Sequence, residues 1–208
     1  MFRLIARIVA LLSSLCACAA NAQADFSADI VNLSAASNTF HTKIFSTKEK
    51  LRFQGEDKSG RTNSIMIVNL ATRTSIVLMP QQHQYVENKQ AQIPGQGVTF
   101  FQAKNVEDAC GEYQKISQAG KGKCRKVGHE NVNGRDTVKY EVSPEKGNTE
   151  PIWIDVKLQF PVKWQSSVGK GELRNIREEG QPAELFAIPP GYTKKPSAIS
   201  SKPKPAQP

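Results

Sequence analysis

Apolar and polar positions alternate with a period of two on both sides of Asn133-Gly134. Asn-Gly supplies the two positive-φ positions of a tight hairpin turn, and here it fixes a register. Val132 should face Arg135, Asn131 face Asp136, His129 face Val138 and Val127 face Tyr140. Val127, Val138, Tyr140 and Val142 would then share one half-buried face. The next run repeats the pattern from Ile152 to Gln159. Ile152, Ile154, Val156 and Leu158 lie on one side, and Trp153, Asp155 and Lys157 on the other. Phe160-Pro161 should end that strand, with a further strand from Val162 to Val168 and a last one over 172–177.

The first half reads as a meander. Strands are expected over 26–32, 40–45 and 51–54, with polar turns at 46–50 and 55–60. Residues 64–70 and 75–79 are nearly continuous apolar runs. A strand apolar on both faces must be covered on both. Pro80 stops the second run, and Tyr85 to Glu87 reads as an edge piece. Residues 90–97, rich in Gln, Pro and Gly, form a loop. Val98 to Phe101 then leads into the best helix candidate, residues 104–118. There Val106, Cys110 and Tyr113 recur at helical spacing, Asn105 is the N-cap, and Gly120 to Gly122 ends the run. Residues 143–150 are a polar loop. Phe186 to Tyr192, with Pro189-Pro190-Gly191, is a rigid closing turn.

Composition adds export to this picture. Arg3 and Arg7 precede an apolar run from Ile8 to Leu15 and then small residues, the order of a secretory signal. Ala20-Asn21-Ala22 and Ala22-Gln23-Ala24 both fit a cleavage site, so residues 1–24 are expected to be removed. A looser alternative is a lipobox ending at Cys18, which would anchor the chain by a lipid. The run is too short to span a bilayer. Removing residues 1–24 takes two arginines and no acid, so the net charge of +9 becomes +7. The four lysines of residues 194–208 bring the remainder to +3, and that Lys/Pro/Ser segment is expected to be a disordered tail. No basic stripe with interleaved aromatics is present, so nucleic acid is excluded as a partner. In the mature chain Cys110 and Cys124 remain, and in an exported protein such a pair reads as a disulfide. It closes a loop of about 15 residues, worth roughly 3 kcal/mol in the chain-entropy account.

Catalytic chemistry does not declare itself. His41, His83 and His129 have no second ligand at metal spacing, so no metal and no cofactor is expected. His129, inward beside Val138 in this register, reads as a core histidine rather than a ligand. There is no nucleophile elbow and no phosphate loop. Asp155 lacks an evident carboxylate partner, and Glu178-Glu179 reads as a charged turn. What is abundant is apolar strand surface, with Met as an adaptable liner. One reading is ordinary core. The other is a hydrophobic cleft lined by Phe53, Ile65, Ile67, Val77, Met79, Tyr113, Trp153 and Trp164.

Several stretches carry a likeness to a known superfamily. They are residues 50–53, the paired runs at 65–68 and 76–79 followed by Tyr85, and Gly128 to Arg135 leading to Lys139-Tyr140. Trp153-Ile154-Asp155, Phe160-Pro161-Val162 and Phe186 to Tyr192 complete the set. Together they resemble the LolA/LolB lipoprotein carriers, and in particular an exported LolA-like family of undefined function. The resemblance implies an α+β, mainly antiparallel fold: a curved half-open barrel sheet with a helical lid over residues 25–193. It implies a periplasmic, non-enzymatic binder of lipid or acyl chains. The alternative is an envelope interaction module of the same fold without cargo, whose tail contacts anionic lipid, an envelope protein or cell-wall polymer. The disulfide and the basic tail depart from the carriers.

Overall fold

The computed structural model describes residues 24–34, 41–89, 100–116, 122–143, 148–167 and 169–196. The proposed signal, the loop 90–97 and most of the tail lie outside them. The strands are β1 (Phe26–Asn32), β2 (His41–Ser46), β3 (Lys50–Glu56), β4 (Thr62–Asn69), β5 (Ser75–Met79) and β6 (Gln84–Asn88). After the helix α1 (Cys110–Ile116) come β7 (Lys123–Val132), β8 (Arg135–Ser143), β9 (Glu150–Asp155), β10 (Phe160–Ser166), β11 (Gly169–Glu178) and β12 (Thr193–Lys194). They form one unclosed 12-stranded sheet in the order β12-β6-β5-β4-β3-β2-β1-β11-β10-β9-β8-β7. Two meanders, β1 to β6 and β7 to β11, meet where β1 pairs with β11. All neighbours run antiparallel except β12 and β6.

Register follows the sequence pattern closely at the hairpin. Val132 pairs with Arg135, Asn131 with Asp136 and His129 with Val138. Asn133 and Gly134 both have positive φ, as the turn demands. One pair departs from expectation: Lys126, not Val127, faces Tyr140, because the strand bulges between Lys126 and Gly128. Gly128 takes φ +152°, and the extra residue turns Val127 out to 46% exposure. Val127 therefore does not join the buried face of Val138, Tyr140 and Val142.

Three further expectations are corrected. The helix begins at Cys110 rather than at residue 104, because residues 104–109 spend their backbone groups elsewhere; residues 117–118 of the expected helix lie outside the described residues. Glu107 N donates to Asn105 Oδ1, and Ala109 N donates to the Tyr140 hydroxyl. The strand from Ile152 ends at Asp155, since Asp155 Oδ1 accepts from Lys157 N and Leu158 N and turns the chain. Phe160-Pro161 accordingly opens β10 rather than closing the strand before it. Finally, β6 is not the sheet edge: Thr193 N donates to His83 O and Lys195 N to Tyr85 O, so the start of the basic segment adds a short parallel strand.

The sheet is bent. The Phe100 ring lies 5.5 Å from that of Phe53 on β3 and 5.2 Å from that of Trp164 on β10. Those strands are four ladders apart, which a flat sheet would spread over about 19 Å. Phe26, Ile44, Leu51, Val68, Val138, Tyr140, Ile154, Phe160 and Leu173 share this concave core. Gly171 permits it on β11. It pairs with Trp164, and a Cβ there would overlap the indole ring.

The two-sided apolar character of β4 and β5 is real, and both faces are covered. Ile65, Ile67 and Leu78 turn to the outer face, under Leu185, Phe186, Ile188 and Tyr192 of the C-terminal segment. Arg52 is buried beside them and donates to Leu185 O and Gln54 Oε1. Burial holds its guanidinium below the usual arginine value.

Candidate functional site

A non-helical strap, residues 100–109, crosses the concave face. Its sequence explains its path. Phe100 and Phe101 are apolar with no strand to join, so they bury against the sheet instead. Phe100 is fully buried and stacks on Phe160 at 5.5 Å. Phe101 meets Tyr113 of α1 edge-on at 5.9 Å. Ala103 N donates to Gln159 O, and Gln102 Nε2 donates to Thr47 O.

The far end of the strap is gripped by the inner face of β7 and β8. The Tyr140 hydroxyl donates to Val106 O at 2.7 Å and accepts from Ala109 N at 3.1 Å. Burial pushes its phenol up. Glu107 pairs with Lys126 and, at 3.0 Å, with His129 Nε2. His129 Nδ1 also meets Asp136 Oδ1 at 3.1 Å. His129 thus shares the inner face with Val138 as its register requires, yet its side chain is 50% exposed and ionic rather than a core histidine. β7 is an edge strand, and His129 on it meets Glu107 and Asp136 rather than apolar side chains. Hydrogen bonding to Asp136, then the charge of Glu107, raises its pKa. Lys126, by hydrogen bonding and charge, lowers that of Glu107. One residue past the strap, the Cys110–Cys124 disulfide ties α1 to β7.

The structure divides the eight residues expected to line a cleft. Phe53 and Trp164 meet around Phe100, and Tyr113 stands against Phe101. Val77 pairs with Met66, which packs on the concave core, and Met79 follows two residues on along the same face. Ile65 and Ile67 face the other way, beneath the C-terminal segment. Trp153 is also on the outer face, between the ammonium groups of Lys139 and Lys163 at 4.9 and 4.7 Å. Phe100, the centre of the site, was legible only as an apolar run outside any strand.

Asp155 has a partner of a different kind from the carboxylate sought. It binds Arg135, which also reaches Glu178 at 2.8 Å, and Lys157 completes the group by pairing with Glu178. Asp155 raises the pKa of Arg135. This ties β8, β9 and β11 together and offers no free acid or base. Among the described residues no group of three or more His, Cys, Asp or Glu is placed to hold a metal ion, and no helix is long and apolar enough to cross a membrane. A groove of about 680 Å³ on the outer face is lined by Asp29, Lys43 and Arg177 as well as Phe45 and Leu185, a charged setting unsuited to hydrocarbon.

No protein-family model matches the sequence, and no curated protein does. Solved structures do. An uncharacterized conserved protein from Thermus thermophilus superposes with a TM-score of 0.51 at 8% identity, covering 85% of this chain and 93% of that one. PNGF-II gives 0.51 at 10% identity over 85% of this chain but 32% of its own, so this chain spans about a third of its length. A LolA superfamily protein from Nitrosomonas europaea is also a structural neighbour, at 12% identity and a TM-score of 0.37, over 79% of this chain and 90% of that one. At such identities the first two likenesses show a shared fold alone, and the third superposes too loosely to add to it.

Proposed function

We propose that this chain is a periplasmic, non-enzymatic binder of an acyl chain, with the bent sheet acting as a half-open barrel and the strap with α1 as its lid. The observation that carries the reading is Phe100. A fully buried aromatic, on a segment with no regular structure, occupies the concave face between β3 and β10. It stands where an apolar ligand would stand, so ligand and strap exclude each other. Displacing one buried Phe costs about 3–5 kcal/mol. Burying a twelve-carbon chain at about 0.8 kcal/mol per CH₂ exceeds that. Phe53, Val77, Met79, Tyr113 and Trp164 would line the opened face.

The test is titration of the delipidated mature protein with a fluorescent dodecanoyl probe. Phe100→Ala should bind about tenfold tighter than wild type, because its self-occupancy is weakened. Failure of both proteins to bind at millimolar probe would sink the reading.

The filled face also favours a second reading, an envelope interaction module without cargo. Its contact would be the lysine-rich segment beginning at Lys194, at about 1 kcal/mol per lysine near an anionic surface. Deleting residues 194–208 should then abolish salt-sensitive binding to anionic vesicles, whereas acyl binding through the concave face would survive.

A further inference from the structure

Two hydroxyl groups on the concave face lack a hydrogen-bond partner among the described residues. Ser46 is 0% exposed and Ser75 2% exposed, and neither Oγ has a donor or acceptor in reach there. They lie in one row across the sheet: Phe26 pairs with Ser46, Ser46 with Leu51, Leu51 with Val68, and Val68 with Ser75. Phe26, Leu51 and Val68 are fully buried members of the concave core, so the row faces inward. The backbones of both serines are in the ladder, which leaves only the hydroxyls unmatched. A buried hydroxyl without a partner is destabilising, and alanine would fill either position without that penalty. Each such orphan calls for an explanation, and a ligand group that completes the bonding is one.

Position relates Ser46 to the strap. Gln102 Nε2 donates to the carbonyl of Thr47, the very next residue, at 2.8 Å. Lifting the strap would therefore open the surface beside Ser46. Ser75 lies three ladders away, about 14 Å along a flat sheet, so the two hydroxyls form separate seats with Leu51 and Val68 as an apolar floor between them.

We propose that Ser46 and Ser75 are ligand-binding donors for the ester or amide carbonyl at the root of an acyl chain. The inference rests on the acyl-binding reading above and narrows its ligand class, from hydrocarbon in general to carbonyl-bearing lipids. A hydroxyl buried in apolar surroundings discriminates strongly against an analogue that leaves it unpaired.

The experiment compares two lipids that differ only in that carbonyl: an acyl lysophosphatidylcholine and its alkyl-ether counterpart of equal chain length. Wild-type protein should bind the ester about tenfold more tightly. The double variant S46A/S75A should bind ester and ether alike, at the wild-type ether affinity. Its melting temperature should be no lower than wild type, since two orphaned groups have been removed. An ester preference that persists undiminished in the double variant overturns the proposal, as does a wild type that binds both lipids equally. If wild type and Phe100→Ala bind neither lipid, the acyl-binding reading itself has failed and this inference falls with it.

Discussion

Asp155 offers the sharpest test of how this sheet is held. Its side chain is 2% exposed and has three dependants. Lys157 N and Leu158 N both donate to Oδ1, at 2.9 and 2.8 Å, and Arg135 bonds the carboxylate while also holding Glu178. Asp155→Ala leaves all three donors without their acceptor. Each stranded amide costs about 1–2 kcal/mol. Arg135 keeps Glu178 and some solvent, so its loss is about 1 kcal/mol. The expected destabilisation is about 3–5 kcal/mol. Asp155→Asn gives a different outcome. It retains an oxygen for both amides and sets an NH₂ group against the guanidinium, so about half of that loss is expected. Urea unfolding of the protein, read as midpoint and slope, measures both. An alanine variant within 1 kcal/mol of wild type, or an asparagine variant as damaged as alanine, would refute the account of this turn.

Other consequences can be checked with the same assay. Reducing the Cys110–Cys124 bond, or replacing both cysteines with alanine, should lower stability by about 3 kcal/mol, because 14 residues separate them in sequence. Gly171→Ala should cost about 1–3 kcal/mol by driving a methyl group into the Trp164 indole, and Trp164 fluorescence should shift with it. The pKa of His129 is raised in the folded state, so its ion pairs stabilise fully below the ordinary histidine value of about 6.5. That contribution is lost as pH rises through the folded value. Comparing wild type with His129→Asn across pH 5–9 should show the gap narrowing toward the alkaline end; a gap that widens would reverse the assignment.

The hairpin was legible because Asn133-Gly134 admits few alternatives, and every pair nearest the turn follows from it. The disulfide was legible from the expected export and the even number of cysteines left after residues 1–24. Val127 was misplaced because a bulge leaves the hydrophobic period unchanged on paper. Only Gly128 hints at it, and a glycine within a strand has several meanings. The strap escaped for a related reason. Val106, Cys110 and Tyr113 have helical spacing, but Tyr140, 31 residues beyond Ala109, takes the amide that a longer helix would use. Tertiary partners of this kind carry no local signal. The same holds for Trp153 and Ile65: alternation says which residues share a face, not which face is hollow.

The position of β1 has a consequence for how the chain is made. The first strand of the described fold sits mid-sheet, and one flank waits for residues 169–178, far along the chain from it. A chain that folds from its N-terminal half therefore carries an open hydrogen-bonding edge along β1 until those residues are in place. Such long-range closure is slow, and the waiting edge invites intermolecular strand pairing. Assembly is thus governed by the order in which strands become available as much as by the strength of any contact.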